Sequence, residues 1–217
     1  MNAMTTATTT TDGTLDAWLA VRATLPHLAI ARAPVPRATL RTTTALSALD
    51  RSIVDVDVAR SVERAAGVQR AAAALATQVG RPPSVALLLS LAAHLGDGVE
   101  PALRTTPAFA KGGRERMRVF DTAEFDSAVN DAVDDAADEA APCWLVAARL
   151  YGDVLFFHPL NDGNARLARL ALVWVLARGG VAVVDLRPVI TTPWSPATAT
   201  ALCRTVRAVC AVPDGPS

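Results

Sequence analysis

Two near-continuous apolar stretches, Trp144 to Phe157 and Leu167 to Ala177, flank a short run that a helix cannot cross. Each stretch has the length and composition of a buried helix. The run between them begins His158-Pro159-Leu160-Asn161 and continues Asp162-Gly163-Asn164. Proline disfavours the α region for the residue before it, so the first helix must end at His158 and present the imidazole at its tip. Asp162-Gly163 is a turn pair, and Gly163 is free to adopt a positive φ and to allow a close approach. These features force a buried helical hairpin whose connecting loop is polar.

The remaining sequence is also helical in pattern. Helical periodicity marks Leu15 to Leu25, Val56 to Val79, Ser84 to Leu95, Phe125 to Ala141 and Pro196 to Val212. Breaks fall at Pro34 and Pro36 with Thr42 to Thr44, at Gly80-Arg81-Pro82-Pro83, and at Gly96-Asp97-Gly98. No spacing suits a second domain, and no repeat at a solenoid period is visible. With 217 residues the chain is long enough for one well-buried domain and short for two. The expectation is an all-α fold: a disordered threonine-rich tail over residues 1–13, then a single domain over 14–217. The informative non-helical segment is Thr105 to Phe125, which carries Lys111-Gly112-Gly113-Arg114 and reads equally as a short β-hairpin or as a surface loop.

Composition removes several function classes. Formal net charge is zero, so no overall field recruits nucleic acid or an anionic membrane. The longest apolar runs, Val85 to Ala93 and Leu170 to Ala177, are too short to span a bilayer. The amino terminus lacks the basic start and apolar core of a secretory signal. Cys143, Cys203 and Cys210 have no metal-type spacing and read as reduced core residues of a cytoplasmic protein, the last two on one helical face. His27 and His94 lie in apolar surroundings and read as structural, and Trp174 reads as core. Asp131, Asp134, Asp135 and Asp138 share a helix and read as a solvated face, or as a docking face for a basic partner.

The chemistry gathers at the loop. Gly163, Asn164 and Ala165 open the second helix, where unpaired N–H groups and the helix dipole favour a phosphate. Arg166 and Arg169, three apart on that helix, are two cations able to grip phosphate oxygens. Asp162 is a hard oxygen ligand of the kind that magnesium uses when substrate phosphates also hold it. His158 has the reference pKa of a base near neutral pH. Each part is common alone, but their conjunction at fixed spacing describes a phosphoryl-type transfer site.

The stretch HPLNDGNARLAR, His158 to Arg169, resembles the signature loop of Fic-domain proteins, HPFx(D/E)GN(G/K)RxxR. The resemblance implies a Fic-like helical bundle with its signature core at about 84–180. It also implies transfer of AMP from ATP, or of another NMP from its triphosphate, to a hydroxyl of a target protein, with Mg2+ or Mn2+. Carried over by position, His158 is the general base and Asp162 the metal ligand. Gly163, Asn164 and Ala165 form the anion hole, and Arg166 and Arg169 contact phosphates. Leu160 replaces the usual Phe beneath the loop, a substitution that repacking accommodates. Ala165 stands where Gly accompanies AMP transfer and Lys marks the Doc branch, which phosphorylates with the γ-phosphate. Another phosphate-containing donor, a small-molecule acceptor, a Doc-like kinase toxin and a non-catalytic partner-binding module are the alternatives. The family's hairpin flap, which aligns targets by strand addition, corresponds to Thr105 to Phe125. Many Fic proteins are held off by a glutamate in an (S/T)xxxE(G/N) helix, which pairs with the last signature arginine, here Arg169. No Ser or Thr lies four residues before any Glu in this chain. Control then falls to a separate antitoxin-like partner, to homo-oligomerisation or to scarce substrate.

Overall fold

The computed structural model describes residues 12–29, 43–96, 102–107, 109–110, 115–116, 120–137 and 141–211. In chain order these form α1 (Asp12–Ala29), β1 (Thr43–Thr44), α2 (Ala45–Ser52), a π-helical turn (Ile53–Val58), α3 (Val62–Ala76) and α4 (Val85–Ala92). Then come β2 (Phe109–Ala110), β3 (Glu115–Arg116), α5 (Thr122–Ala137), α6 (Cys143–Phe157) and α7 (Asn164–Arg178). The last described elements are β4 (Ala182–Val183), α8 (Arg187–Thr191), a 3-10 turn (Pro196–Thr198), α9 (Ala199–Val209) and β5 (Cys210–Ala211). The fold is all-α with minor strands.

The α6–α7 hairpin is the centre of the bundle. Leu145 to Val154 and Leu167 to Val175 are buried almost without interruption, as expected of helices apolar on every side. The other helices cover them. Helices α5, α9 and α1 pack on α6, while α2, α3 and α4 pack on α7. Aromatic rings join the outer helices to the end of α6: Phe125 of α5 lies 5.6 Å from Phe157, and Trp18 of α1 stacks on Phe156 at 5.8 Å. Trp174 is fully buried, as expected.

Several boundaries differ from those read in the sequence. The helix expected from Val56 begins at Val62, because the Ser61 hydroxyl accepts the Arg64 N–H at 3.2 Å and caps a new helix there. Ser84 caps α4 in the same way, through the Leu87 N–H. The final helix stops at Val209, so Cys210 lies on β5 and not on the helical face of Cys203. Both thiols are buried, and burial pushes them up, Cys203 to about 11 and Cys210 to about 12. Helix α1 begins at Asp12, inside the expected tail, and residues 1–11 of that tail lie outside the described residues. So do Pro34, Pro36, Thr42, Asp97, Gly98, Asp138 and the Lys111 to Arg114 tip.

A three-stranded antiparallel sheet, in the order β1-β4-β5, was not expected. Its registers, Thr43 with Val183 and Val183 with Cys210, tie the entry of α2 to the exits of α7 and α9. Strands β2 and β3 pair antiparallel, Phe109 with Arg116 and Ala110 with Glu115, so the segment before α5 is a hairpin. The acidic helix α5 is only partly a solvated face. Asp131 pairs with Arg22 of α1 and Asp135 pairs with Arg149 of α6. No helix among the described residues is long and apolar enough to cross a membrane.

Candidate active site

Helix α6 ends at Phe157, and His158 turns the chain with φ 51° and ψ 57°. Proline at 159 explains the end of the helix but favours an extended backbone at His158, whereas the observed conformation is left-handed. A non-glycine residue there costs about 1–2 kcal/mol, so the surroundings must hold it. They do so from two sides. Asn164 closes the loop, accepting the Leu160 N–H at 2.8 Å and donating to the Leu160 carbonyl at 2.7 Å. Arg104 reaches in from the segment before the hairpin, its Nε donating to the His158 carbonyl at 2.6 Å and its Nη2 to the Phe157 carbonyl at 3.3 Å. Leu160 is buried beneath the loop.

Across the loop, Gly163 takes φ 87° and starts α7. Here glycine is favoured by the positive φ, which strains any side chain; a Cβ would also lie 3.3 Å from the flexible tip of Arg166, Nη2, a lesser crowding. The amides of Asn164, Ala165 and Arg166 open the helix where no intrahelical acceptor precedes them. Ala165 is helical and exposed, so its methyl meets no backbone strain. Both ends of the Asn164 side chain are engaged with Leu160, so only its backbone N–H is left open at the start of the helix.

The two arginines differ sharply. Arg166 lies at the rim, with Nη2 donating to Asp162 Oδ2 at 2.9 Å and Nη1 to the Leu95 carbonyl at 3.1 Å. The Asp162 side chain is 77% exposed and can turn to a ligand at small cost, whereas the Arg166 side chain is only 14% exposed and is also held by the Leu95 carbonyl. Arg169 is buried and its Nη2 donates to Asp57 Oδ2 at 2.6 Å, with Ser52 Oγ at 3.5 Å from Nη1. Asp57 sits on the π-helical turn and is itself buried. Among the described residues, buried Arg169 Nε has no hydrogen-bond partner. Tyr151 of α6 lies within the field of Arg169, and burial pushes its hydroxyl up to about 12.

His158, Asp162, Gly163, Asn164, Ala165 and Arg166 are thus gathered at one loop, while Arg169 faces inward and is held by a carboxylate. Sequence reading missed that carboxylate, because Asp57 is an aspartate five residues after Ser52 and fits neither the residue type nor the spacing of the inhibitory pattern. It also missed Arg104, which stands in no motif that was read. Among the described residues no three His, Cys, Asp or Glu side chains cluster as a metal site. Asp162, an exposed carboxylate beside the open amides of α7, has the chemistry to hold a magnesium ion that arrives with a ligand rather than a resident one.

Residues 82–176 match the model of the Fic/DOC family. Among curated proteins none matches the sequence. Solved structures do match the fold. IbpAFic2 covalently tethered to Cdc42 aligns with a TM-score of 0.56 at 16% identity, over 88% of this chain and 69% of that one. A histidine-to-alanine variant of IbpAFic2 in complex with adenylylated Cdc42 gives 0.53 at 17% identity, over 88% and 69%. Fic-1 from C. elegans gives 0.50 at 17%, over 89% and 68%. Over residues 82–176 the chain therefore matches the Fic/DOC family, and its fold is the one that Fic proteins adopt.

Proposed function

We propose that the protein is a nucleotidyltransferase that moves AMP, or another NMP, from a nucleoside triphosphate to a hydroxyl group. The observation that carries the reading is the convergence of His158, at the end of α6, with the Asp162–Arg166 pair and the open amides of α7, in a loop stapled by Asn164. The triphosphate lies against the start of α7, where the amides of Asn164 and Ala165 and the Arg166 guanidinium neutralise its oxygens. Asp162, released from Arg166, would hold a magnesium or manganese ion, which supplies charge neutralisation to the phosphates when bound. His158 takes the proton of the attacking hydroxyl. The hydroxyl oxygen forms a bond to the α-phosphorus as the bond from that phosphorus to the β-phosphate bridging oxygen breaks, and pyrophosphate leaves.

A protein acceptor is the favoured class. The capture of IbpAFic2 with Cdc42 supports it for this fold, and the β2–β3 hairpin offers an edge to which an extended segment can add. A cytoplasmic setting suits both the triphosphate and the free cysteines. The test is incubation with magnesium, candidate acceptors or lysate, and ATP labelled at the α- or at the γ-phosphate. Label from the α-position is expected, with a loss of about 100-fold or more in His158→Ala. Label from the γ-position alone would replace this reading with a Doc-like kinase. Transfer unchanged in His158→Ala would remove His158 from the mechanism.

A further inference from the structure

His158 holds a backbone conformation that its own sequence does not favour, and the Arg104 side chain bonds to its carbonyl. Arg104 is 3% exposed. Its guanidinium donates to the carbonyls of Phe157, His158 and Thr106, at 3.3, 2.6 and 3.1 Å, and lies over the Phe120 ring at 5.6 Å. Its backbone N–H donates to the Pro159 carbonyl at 2.8 Å. Three consecutive carbonyls, from Phe157 to Pro159, are therefore fixed by one residue. The last carbonyls of a helix have no intrahelical donor, and a cation there also answers the negative end of the dipole. Helix capping alone explains a bond to Phe157. It does not explain the short bond to His158, whose carbonyl direction is set by the left-handed φ and ψ.

We infer that Arg104 is the positioning residue for His158: its donors hold the 157–159 backbone in the left-handed turn from which the imidazole projects. Its role in the reaction rests on the reading of His158 as the base. The geometry asks for arginine, because a lysine ammonium in the same place keeps the charge but cannot span two carbonyls with a planar fork.

The chain has three histidines, so ring NMR of histidine-labelled protein gives few resonances, and His158→Ala assigns the one that matters. In Arg104→Lys the melting temperature and the His94 resonance are expected to stay close to those of the parent. The His158 resonance is expected to shift or split and to titrate differently. Transfer is expected to lose about 100-fold in kcat, with little change in the KM for ATP, as a misplaced base predicts. Arg104→Ala should deepen both effects, and Arg104→Lys carries the test if the alanine variant fails to fold. An unchanged His158 resonance and titration in Arg104→Lys would overturn the inference, as would parental kcat. If the parent transfers nothing, or if His158→Ala transfers normally, the proposed reaction fails while the NMR arm still decides the role of Arg104.

Discussion

Arg169 shows how far a motif can be read and where it stops. Its place three residues after Arg166 was legible, because helical spacing fixes it, but its state was not. The partner that holds it, Asp57, is 112 residues away in sequence and no local pattern joins the two. If Arg169 contacts a nucleotide phosphate, as the signature resemblance implies, the Asp57 carboxylate competes for the same guanidinium and the pair opposes binding. Removing the carboxylate therefore has two opposite effects. Asp57→Ala leaves a buried cation unpaired and should lower stability by about 3–5 kcal/mol. It should also tighten ATP–magnesium binding by about tenfold, a coupling of ~1.4 kcal/mol. A thermal-shift series reads both: a lower starting melting temperature and a larger rise with ATP than the parent shows. Equal rises would mean that Arg169 does not meet the nucleotide.

At the scale of elements, the apolar hairpin α6–α7 and the loop between its arms were legible because burial on every side leaves a continuous hydrophobic run. The two-residue strands were not, since two residues carry no period, and the sheet β1-β4-β5 exists through partners far apart in the chain. Helix α2 escaped for a similar reason: eight residues with Ser and Asp at its surface give little more than two turns of pattern. The approach of α1 to α6 was equally hidden. It depends on Gly152, where an added Cβ would stand 2.7 Å from a ring carbon of Trp18 and 3.3 Å from Trp194 Nε1. Trp18 is fully buried and stacked on Phe156, so it has little room to retreat. Gly152→Ala should therefore destabilise the fold by about 1–3 kcal/mol despite alanine's better helix propensity, read as a lower midpoint in urea unfolding. A gain in stability would show that α1 is not held against α6 in this way.

For the whole molecule, the joint between α1, α5 and α6 is a charge network built on the buried Arg22–Asp153 pair with the half-exposed Asp131 at its edge, and it should give stability an unusual pH dependence. Asp153 of α6 is fully buried; its Oδ1 accepts the Trp18 indole N–H at 3.0 Å and its Oδ2 the Arg22 Nε at 3.3 Å. Arg22 also donates to Asp131 at 2.7 Å and to the Ala128 carbonyl at 2.9 Å, which brings α5 into the joint. Burial pushes the Asp153 carboxyl up to about 6, against the opposing pull of Arg22, the Trp18 donor and Arg149. A paired carboxylate usually moves the other way. Because the folded chain holds this proton at a higher pH than the unfolded chain, the folded state binds more protons between about pH 4 and pH 6, and stability from this group falls as pH rises through that window. The change is about 3 kcal/mol, since each pKa unit is 1.36 kcal/mol. Asp153→Asn keeps the shape and cannot ionise. The unfolding free energy of the parent minus that of the variant, measured by urea at a series of pH values, should therefore drop by about 2 kcal/mol from pH 4 to pH 6.5 and then level off, the rest of the change falling below pH 4. A difference that rises over this range would mean that Arg22 and Trp18 outweigh burial, with Asp153 held ionised as an ordinary ion-paired carboxylate.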